Sequence, residues 1–335
     1  MITAAQPTLS TTSMKRNTVD IVTETDQAVE KFIHQTLQEH FPTFAFIGEE
    51  TYKNGDTLTH EPTFIVDPID GTSNFVHGFP AVCVSIALVI DRQPTIGVVY
   101  SPFQDELWTA VRGGGAFVTQ GSGSPTRLPL RSPPLESLQT ASIGLEWGSD
   151  REGPNFDLNL KVFTTLARTV ATGGRFVNSL RFIGSAAIAI CRVAAGQQDA
   201  FWECGCWAWD VAAAWCILLE AGGIMVDGHP GNMNPPLDNR RYLAVRPSMR
   251  GQREWVAYIV PVKGVLHRAL ESSIVEETVP PLEGSRVEAV NAVRCAWPAA
   301  TFDDVPVSTI PVVEVGVDGN DELMAKPVGL LSHAN

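Results

Sequence analysis

Residues 81–90, 95–100 and 106–112 are three apolar runs of strand length in immediate succession, separated only by Asp91-Arg92-Gln93-Pro94 and by the turn at 102–105. Such runs, bounded by turn residues, predict neighbouring strands. From residue 156 onward the pattern changes to helix alternating with strand. Helices are expected at 156–170, 185–195 and 211–221, strands at 200–203, 224–227 and 242–245, and a closing helix at 254–260. A helix is also predicted over 25–41, where Val29, Phe32, Ile33 and Leu37 recur at helical spacing behind Thr25 or Asp26 as cap. Strands at 44–48, 63–67 and 139–145 complete the set. Runs of strands followed by alternating helices and strands predict an α/β or α+β layered sandwich. Gly113-Gly114-Gly115 lacks the Gly-Lys-Ser/Thr of a phosphate loop and reads as a hairpin turn.

The organisation is expected to be a loose polar stretch at 1–14, one domain over 15–263 and a poorly ordered extension over 264–335, in which Val312–Val317 is a short apolar run without a neighbouring partner. With 335 residues, 44% of them hydrophobic, the chain can build a sizeable core. Lys and Arg number 24 against 37 Asp and Glu, a net charge of −13, which argues against a nucleic-acid partner. An anionic substrate would meet the same repulsion unless metal cations intervene. No run approaches the ~18 apolar residues of a membrane span, and no basic, apolar leader opens the chain. Cys83, Cys191, Cys204, Cys206, Cys216 and Cys295 match no zinc spacing, so buried thiols in a reduced cytoplasmic protein are expected.

The chemistry concentrates at Asp67-Pro68-Ile69-Asp70-Gly71-Thr72, entered from the apolar Phe64-Ile65-Val66. Asp67 precedes proline and is held extended, and Pro68 cannot continue a central strand, so the chain is expected to turn there. Two carboxylates and the Ile69 carbonyl on one bend are hard oxygen donors of the kind Mg2+ prefers. Gly71 and Thr72 add backbone N–H groups suited to a phosphate. The same residues also read as a capped turn with two surface acids. Gly48-Glu49-Glu50 ends another short strand, and Trp209-Asp210 opens an apolar helix, where helix capping alone is the competing explanation for the acid. If these strand ends and this helix start meet in space, they make a multi-carboxylate metal site.

Residues 15–260 resemble the inositol monophosphatase family of magnesium-dependent sugar phosphatases. The segment 67–75 with His77-Gly78-Phe79-Pro80 is similar to the first family signature, and Trp209-Asp210-Val211-Ala212-Ala213-Ala214 with Glu220-Ala221-Gly222-Gly223 to the second. Lys15, the segment 20–26 and Gly48-Glu49-Glu50 match further family segments in order, and 143–156 and 196–210 look most like the fungal branch associated with quinate utilisation.

The resemblance implies an α-β-α-β-α layered sandwich and a cytoplasmic, lithium-sensitive hydrolase that uses two or three Mg2+ ions to cleave inositol monophosphate. Glu49, Asp67 and the Ile69 carbonyl would form one metal site, and Asp67, Asp70 and Asp210 a second. Thr72 would pair with Glu49 to activate water. Asp70, Gly71 and Thr72 would hold the phosphate, while Ser149, Gly184, Ser185, Ala186, Glu203 and Asp210 would line the alcohol side. Lys15 and Asp26 would lie at the rim. The partner is a small phosphorylated substrate, with no membrane involved. A homodimer is implied as well, although the residues before Lys15 do not match the helix that precedes this lysine in the family. A related nucleotide or sugar phosphatase, or a catalytically weak regulatory protein of quinate metabolism, remain as alternatives.

Overall fold

The computed structural model describes residues 1–5, 13–17, 20–53, 55–228, 232–247, 312–317 and 323–328. Short strands β1 (Ser13–Asn17) and β2 (Asp20–Val22) pair antiparallel and lead into α1 (Glu24–His40). The cap of α1 is Thr23 rather than Thr25 or Asp26. The Thr23 hydroxyl accepts from the N–H groups of Thr25 and Asp26, and the Asp26 carboxylate accepts from the Thr23 N–H at 3.0 Å. Ile2, expected in a loose terminus, is buried in the cluster that contains Val29 and Ile33 of α1.

Next come β3 (Ala45–Gly48), β4 (Thr63–Asp70), the short α2 (Thr72–His77), and an antiparallel meander of β5 (Cys83–Ile90), β6 (Gln93–Ser101), β7 (Glu106–Val111), β8 (Gly115–Gln120) and β9 (Thr126–Arg127). They form one seven-stranded sheet in the order β3-β4-β5-β6-β7-β8-β9, with β3 and β4 parallel. The glycine triplet is the turn between β7 and β8, and the N–H groups of Gly113 and Gly115 donate to Glu220 at 3.0 and 2.8 Å.

The second half supplies β10 (Ser142–Leu145), α3 (Gly153–Ala167), β11 (Ser179–Arg181), α4 (Ala186–Ala194), β12 (Ala200–Cys204), α5 (Ala208–Glu220), β13 (Ile224–Asp227) and β14 (Arg241–Val245). Its sheet has the order β11-β10-β12-β14-β13. Val312–Val317 does have a partner: as β15 it pairs antiparallel with β16 (Leu323–Val328). The helix expected at 254–260, the rest of the extension and Cys295 lie outside the described residues.

Side-chain alternation explains the layering. On β4, Phe64 and Val66 join the cluster with α1, whereas Ile65 joins the cluster built on α4 and α5. On β12, Ala200, Trp202 and Cys204 pack with Val162 and Leu166 of α3, whereas Phe201 faces the α4–α5 cluster. Both faces of both sheets are therefore covered, giving α1, sheet, α4–α5, sheet, α3: the expected layered sandwich. Residues 211–218 of α5 are buried all round, and the alanines among them let the helix lie close to β5 and β6. Truncating a fully buried side chain such as Phe201 would cost about 3–5 kcal/mol. The described cysteines are buried free thiols. Among the described residues no helix is long and apolar enough to cross a membrane.

Candidate metal centre

Strand β4 does not stop at Pro68. Its pairing with β5 lapses between Asp67, opposite Ser85, and Asp70, opposite Cys83. Pro68 has no N–H to contribute, and the Asp67 Oδ1 takes the Ile69 N–H at 3.0 Å, so the strand bulges and resumes. The bulge leaves both carboxylates at one end of the sheet. Helix α5 brings the third. Ser85 Oγ donates to the Trp209 carbonyl at 3.1 Å, docking the start of α5 beside β4, and Asp210 Oδ2 accepts the Trp207 N–H at 2.5 Å. One oxygen each of Asp67, Asp70 and Asp210 lies within 4.8 Å of the others.

Glu49 joins them from the end of β3. Its N–H donates to the Val66 carbonyl at 3.1 Å, and its charge acts on Asp67 and Asp210. The turn at Glu49 is fixed from below. Buried Glu30 accepts the Glu50 N–H at 2.7 Å, and a Cβ on Gly48 would lie 2.4 Å from the Glu30 carboxyl carbon, so any side chain there would have to displace the Glu30 carboxylate.

The electrostatics of this cluster are those of a cation site. Burial pushes the Asp67 carboxyl well above its ordinary range, and the charges of Glu49, Asp70 and Asp210 push it further. Burial raises Asp70 to about 6 despite its bonds from Ser185 Oγ at 2.6 Å and Ala187 N at 2.8 Å. Asp210 is raised by burial and by Glu49 and Asp70. Buried carboxylates this close repel one another when ionised, and at neutral pH a bound cation relieves that repulsion. The donors are all hard oxygens, which fits Mg2+ and disfavours zinc or copper.

Thr72 begins α2 behind Gly71, whose φ of +95° and close approach to the Ala81 and Gly184 carbonyls require glycine. Thr72 Oγ1 lies 3.1 Å from both Asp26 Oδ1 and the Ile69 carbonyl. The family resemblance pairs this hydroxyl with Glu49 and puts Asp26 at the rim; in the fold the hydroxyl reaches Asp26. On the other side, Ser185 caps α4, with Gly184 before it and Ala186 after it, and its bond to Asp70 joins this wall to the acidic cluster. Glu203 lies on β12 with its Oε2 buried. Ser149 is half-buried in the loop between β10 and α3, and the side chain of Lys15 lies outside the described residues.

Sequence reasoning missed Glu146. It directly follows the apolar run of β10, the same strand-end signal that singles out Glu49, and its Oε1 accepts the N–H groups of Ile183 and Gly184 at 2.7 Å each.

Residues 3–261 match the model of the inositol monophosphatase family. The chain is 49% identical to inositol monophosphatase 2 of Saccharomyces cerevisiae over 236 residues, 69% of this chain and 78% of the yeast protein. It is 40% identical over 256 residues to quinic acid degradation cluster protein x of Neurospora crassa, covering 70% of this chain and 74% of that one. Among solved structures it is similar to an IMPase/NADP phosphatase complexed with Mg2+ and phosphate, with a TM-score of 0.60 at 26% identity over 76% of this chain and 87% of that one.

Proposed function

The chain belongs to the inositol monophosphatase family, and on that premise we propose that it is a Mg2+-dependent phosphatase converting inositol monophosphate to inositol and phosphate. The observation that carries this reading is the convergence of Asp67, Asp70 and Asp210 within 4.8 Å, with the charge of Glu49 acting on the same group. Glu49, Asp67 and the Ile69 carbonyl would hold one ion, and Asp67, Asp70 and Asp210 another, with room in the reading for a third. When bound, Mg2+ acidifies water and neutralises the phosphoryl and leaving oxygens.

The chain's own groups do the rest. The N–H groups of Gly71 and Thr72 and the Asp70 side hold the phosphate. The Thr72 hydroxyl relays a proton: it accepts from the attacking water and passes its own hydrogen to a carboxylate, Asp26, to which it donates at 3.1 Å, or Glu49. That water forms the new P–O bond opposite the ester oxygen, whose bond to phosphorus breaks, and the departing alkoxide takes a proton from a second water and leaves as the neutral alcohol. Gly184, Ser185, Ala186, Glu203, Asp210 and Ser149 line the alcohol. A homodimer in the cytoplasm belongs to the same reading.

The likeness to a protein of a quinic acid degradation cluster favours a second reading, a weakly catalytic regulator on this fold. The complete carboxylate set argues for turnover. Phosphate release from a panel of inositol phosphates, adenosine bisphosphates and sugar phosphates, with and without Mg2+, separates them. Preference for inositol monophosphate supports the proposal, preference for another ester redirects it, and no release from any member favours the regulator.

A further inference from the structure

Beyond the acidic cluster lies a second pair of carboxylates. Strands β10 and β12 run parallel, with Ile143 beside Ala200, Gly144 beside Phe201 and Leu145 beside Trp202. One step further in that register puts Glu146 next to Glu203. Leu145 and Trp202 face α3, so their successors face the opposite side, the side of α4, α5 and the acidic cluster. Both glutamates therefore stand at the carboxyl ends of adjacent parallel strands, the usual place for a ligand in such sheets.

Their partners differ. Glu146 Oε1 takes two backbone N–H groups, those of Ile183 and Gly184, at 2.7 Å each. The same segment is held from two further directions: Asn74 Nδ2 donates to the Ile183 carbonyl at 2.8 Å, and Asp70 accepts from Ser185 Oγ and Ala187 N. Glu146 thus ties β10 to the loop that begins α4. Glu203 Oε2, in contrast, is buried with no hydrogen-bond partner among the described residues. A buried acceptor of this kind calls for a donor from outside the chain, and a hydroxyl suits it. Burial raises Glu146 to about 7 and Glu203 well above its ordinary range, with the charge of Glu146 adding to the second shift.

We propose that Glu146 is a positioning residue that clamps the Ile183–Gly184 backbone against the acidic cluster and, beside Glu203, makes this wall selective for an alcohol carrying adjacent hydroxyls. The unpartnered Glu203 Oε2 accepts from one hydroxyl, and the Ile183–Gly184 backbone that Glu146 holds fixes the wall beside it, so an alcohol with a second, adjacent hydroxyl gains most. The selectivity part rests on the phosphatase reading above; the clamp does not.

The test uses full-length protein and the variants Glu146→Ala and Glu146→Gln. The glutamine oxygen keeps both N–H bonds, so Glu146→Gln separates loss of the clamp from loss of charge. Hydrogen exchange at Ile183 and Gly184, measured without substrate, should accelerate in Glu146→Ala and stay slow in Glu146→Gln. In steady-state assays, Glu146→Ala should lose about tenfold more kcat/KM on inositol 1-phosphate than on p-nitrophenyl phosphate, chiefly through KM, and Glu146→Gln should recover most of it. Unchanged exchange in Glu146→Ala overturns the clamp. Equal losses on the two substrates overturn the selectivity. Wild-type protein inactive on both esters would sink the phosphatase reading and the selectivity with it, while the exchange data still decide the clamp.

Discussion

Thr72 Oγ1 stands 3.1 Å from Asp26 Oδ1, although the two residues are 46 positions apart. Asp26 is buried in the first turn of α1, where Thr23 holds it through both its N–H and its hydroxyl. Burial raises the Asp26 carboxyl above its ordinary range, so it is a ready acceptor for a proton passed through the Thr72 hydroxyl. Thr72→Ala should therefore lower kcat by about 10²–10⁴-fold, the usual worth of general-base assistance, and Asp26→Asn should lower it in the same direction. Thr72→Ser should retain most of the rate. Steady-state kinetics of the three variants check this; an effect confined to KM would contradict the relay.

Gly48 is predicted to tolerate no side chain. A methyl group there would press on the Glu30 carboxylate, which holds the Glu50 N–H and so the direction of Glu49. Gly48→Ala should destabilise the fold by about 1–3 kcal/mol as an overpacking change, and it should weaken Mg2+ binding. Urea unfolding and metal titration measure the two effects.

Stability of the metal-free protein should fall as pH rises. Asp67, Asp70, Asp210, Glu146 and Glu203 all have carboxyls raised above the ordinary range, to about 6 for Asp70 and about 7 for Glu146. A raised folded-state pKa means that the native state binds more protons than the unfolded chain, whose carboxyls titrate near 4. That contribution is full below about pH 4 and is lost as pH passes through 6 and 7. Mg2+ binds the deprotonated groups and acts in the opposite sense. In EDTA the Tm should drop between about pH 5 and about pH 8, and Mg2+ should raise it more at the upper end. A Tm that rises across that window in EDTA would contradict the assignment.

Lithium should inhibit where sodium does not. Li+ is a hard cation close to Mg2+ in size with half its charge, so it suits a compact oxygen cage but supports a leaving oxygen poorly. The site of Asp67, Asp70 and Asp210 is the expected target, and Asp210→Glu should change the sensitivity. Titrating LiCl against NaCl at fixed ionic strength distinguishes site occupation from screening; identical curves would remove the claim.

Much of this was legible in the chain. The apolar strand and helix runs gave the layers, because periodicity records which faces are covered. Short strands are not legible: β9 and β11 have too few residues to show a period, and their places are set by the sheets around them, whereas the start of α2 is marked by Gly71-Thr72. Pro68 signals a turn in the sequence, because proline forbids a ladder bond at its own position, yet pairing resumes at Asp70 and the chain bulges instead. Asp67, Asp70, Glu49 and Asp210 were found because an acid that ends an apolar run stands out. The Asp26–Thr72 contact joins α1 to α2 and depends on tertiary packing, to which local spacing is blind. Glu146 carries the strand-end signal but stands alone, with no motif around it to mark it in the sequence.

The most direct test measures phosphate release from inositol 1-phosphate by the wild-type protein and by Asp67→Asn, after EDTA treatment and again after Mg2+ is restored. Asp67 lies in the carboxylate cluster with Asp70 and Asp210 and feels the charge of Glu49, and it is the carboxylate that both proposed ion sites share. The account predicts no turnover in EDTA, recovery of the wild type with Mg2+, and little recovery of Asp67→Asn at any Mg2+ concentration. Full wild-type activity in excess EDTA, or an Asp67→Asn protein that recovers as the wild type does, would contradict it.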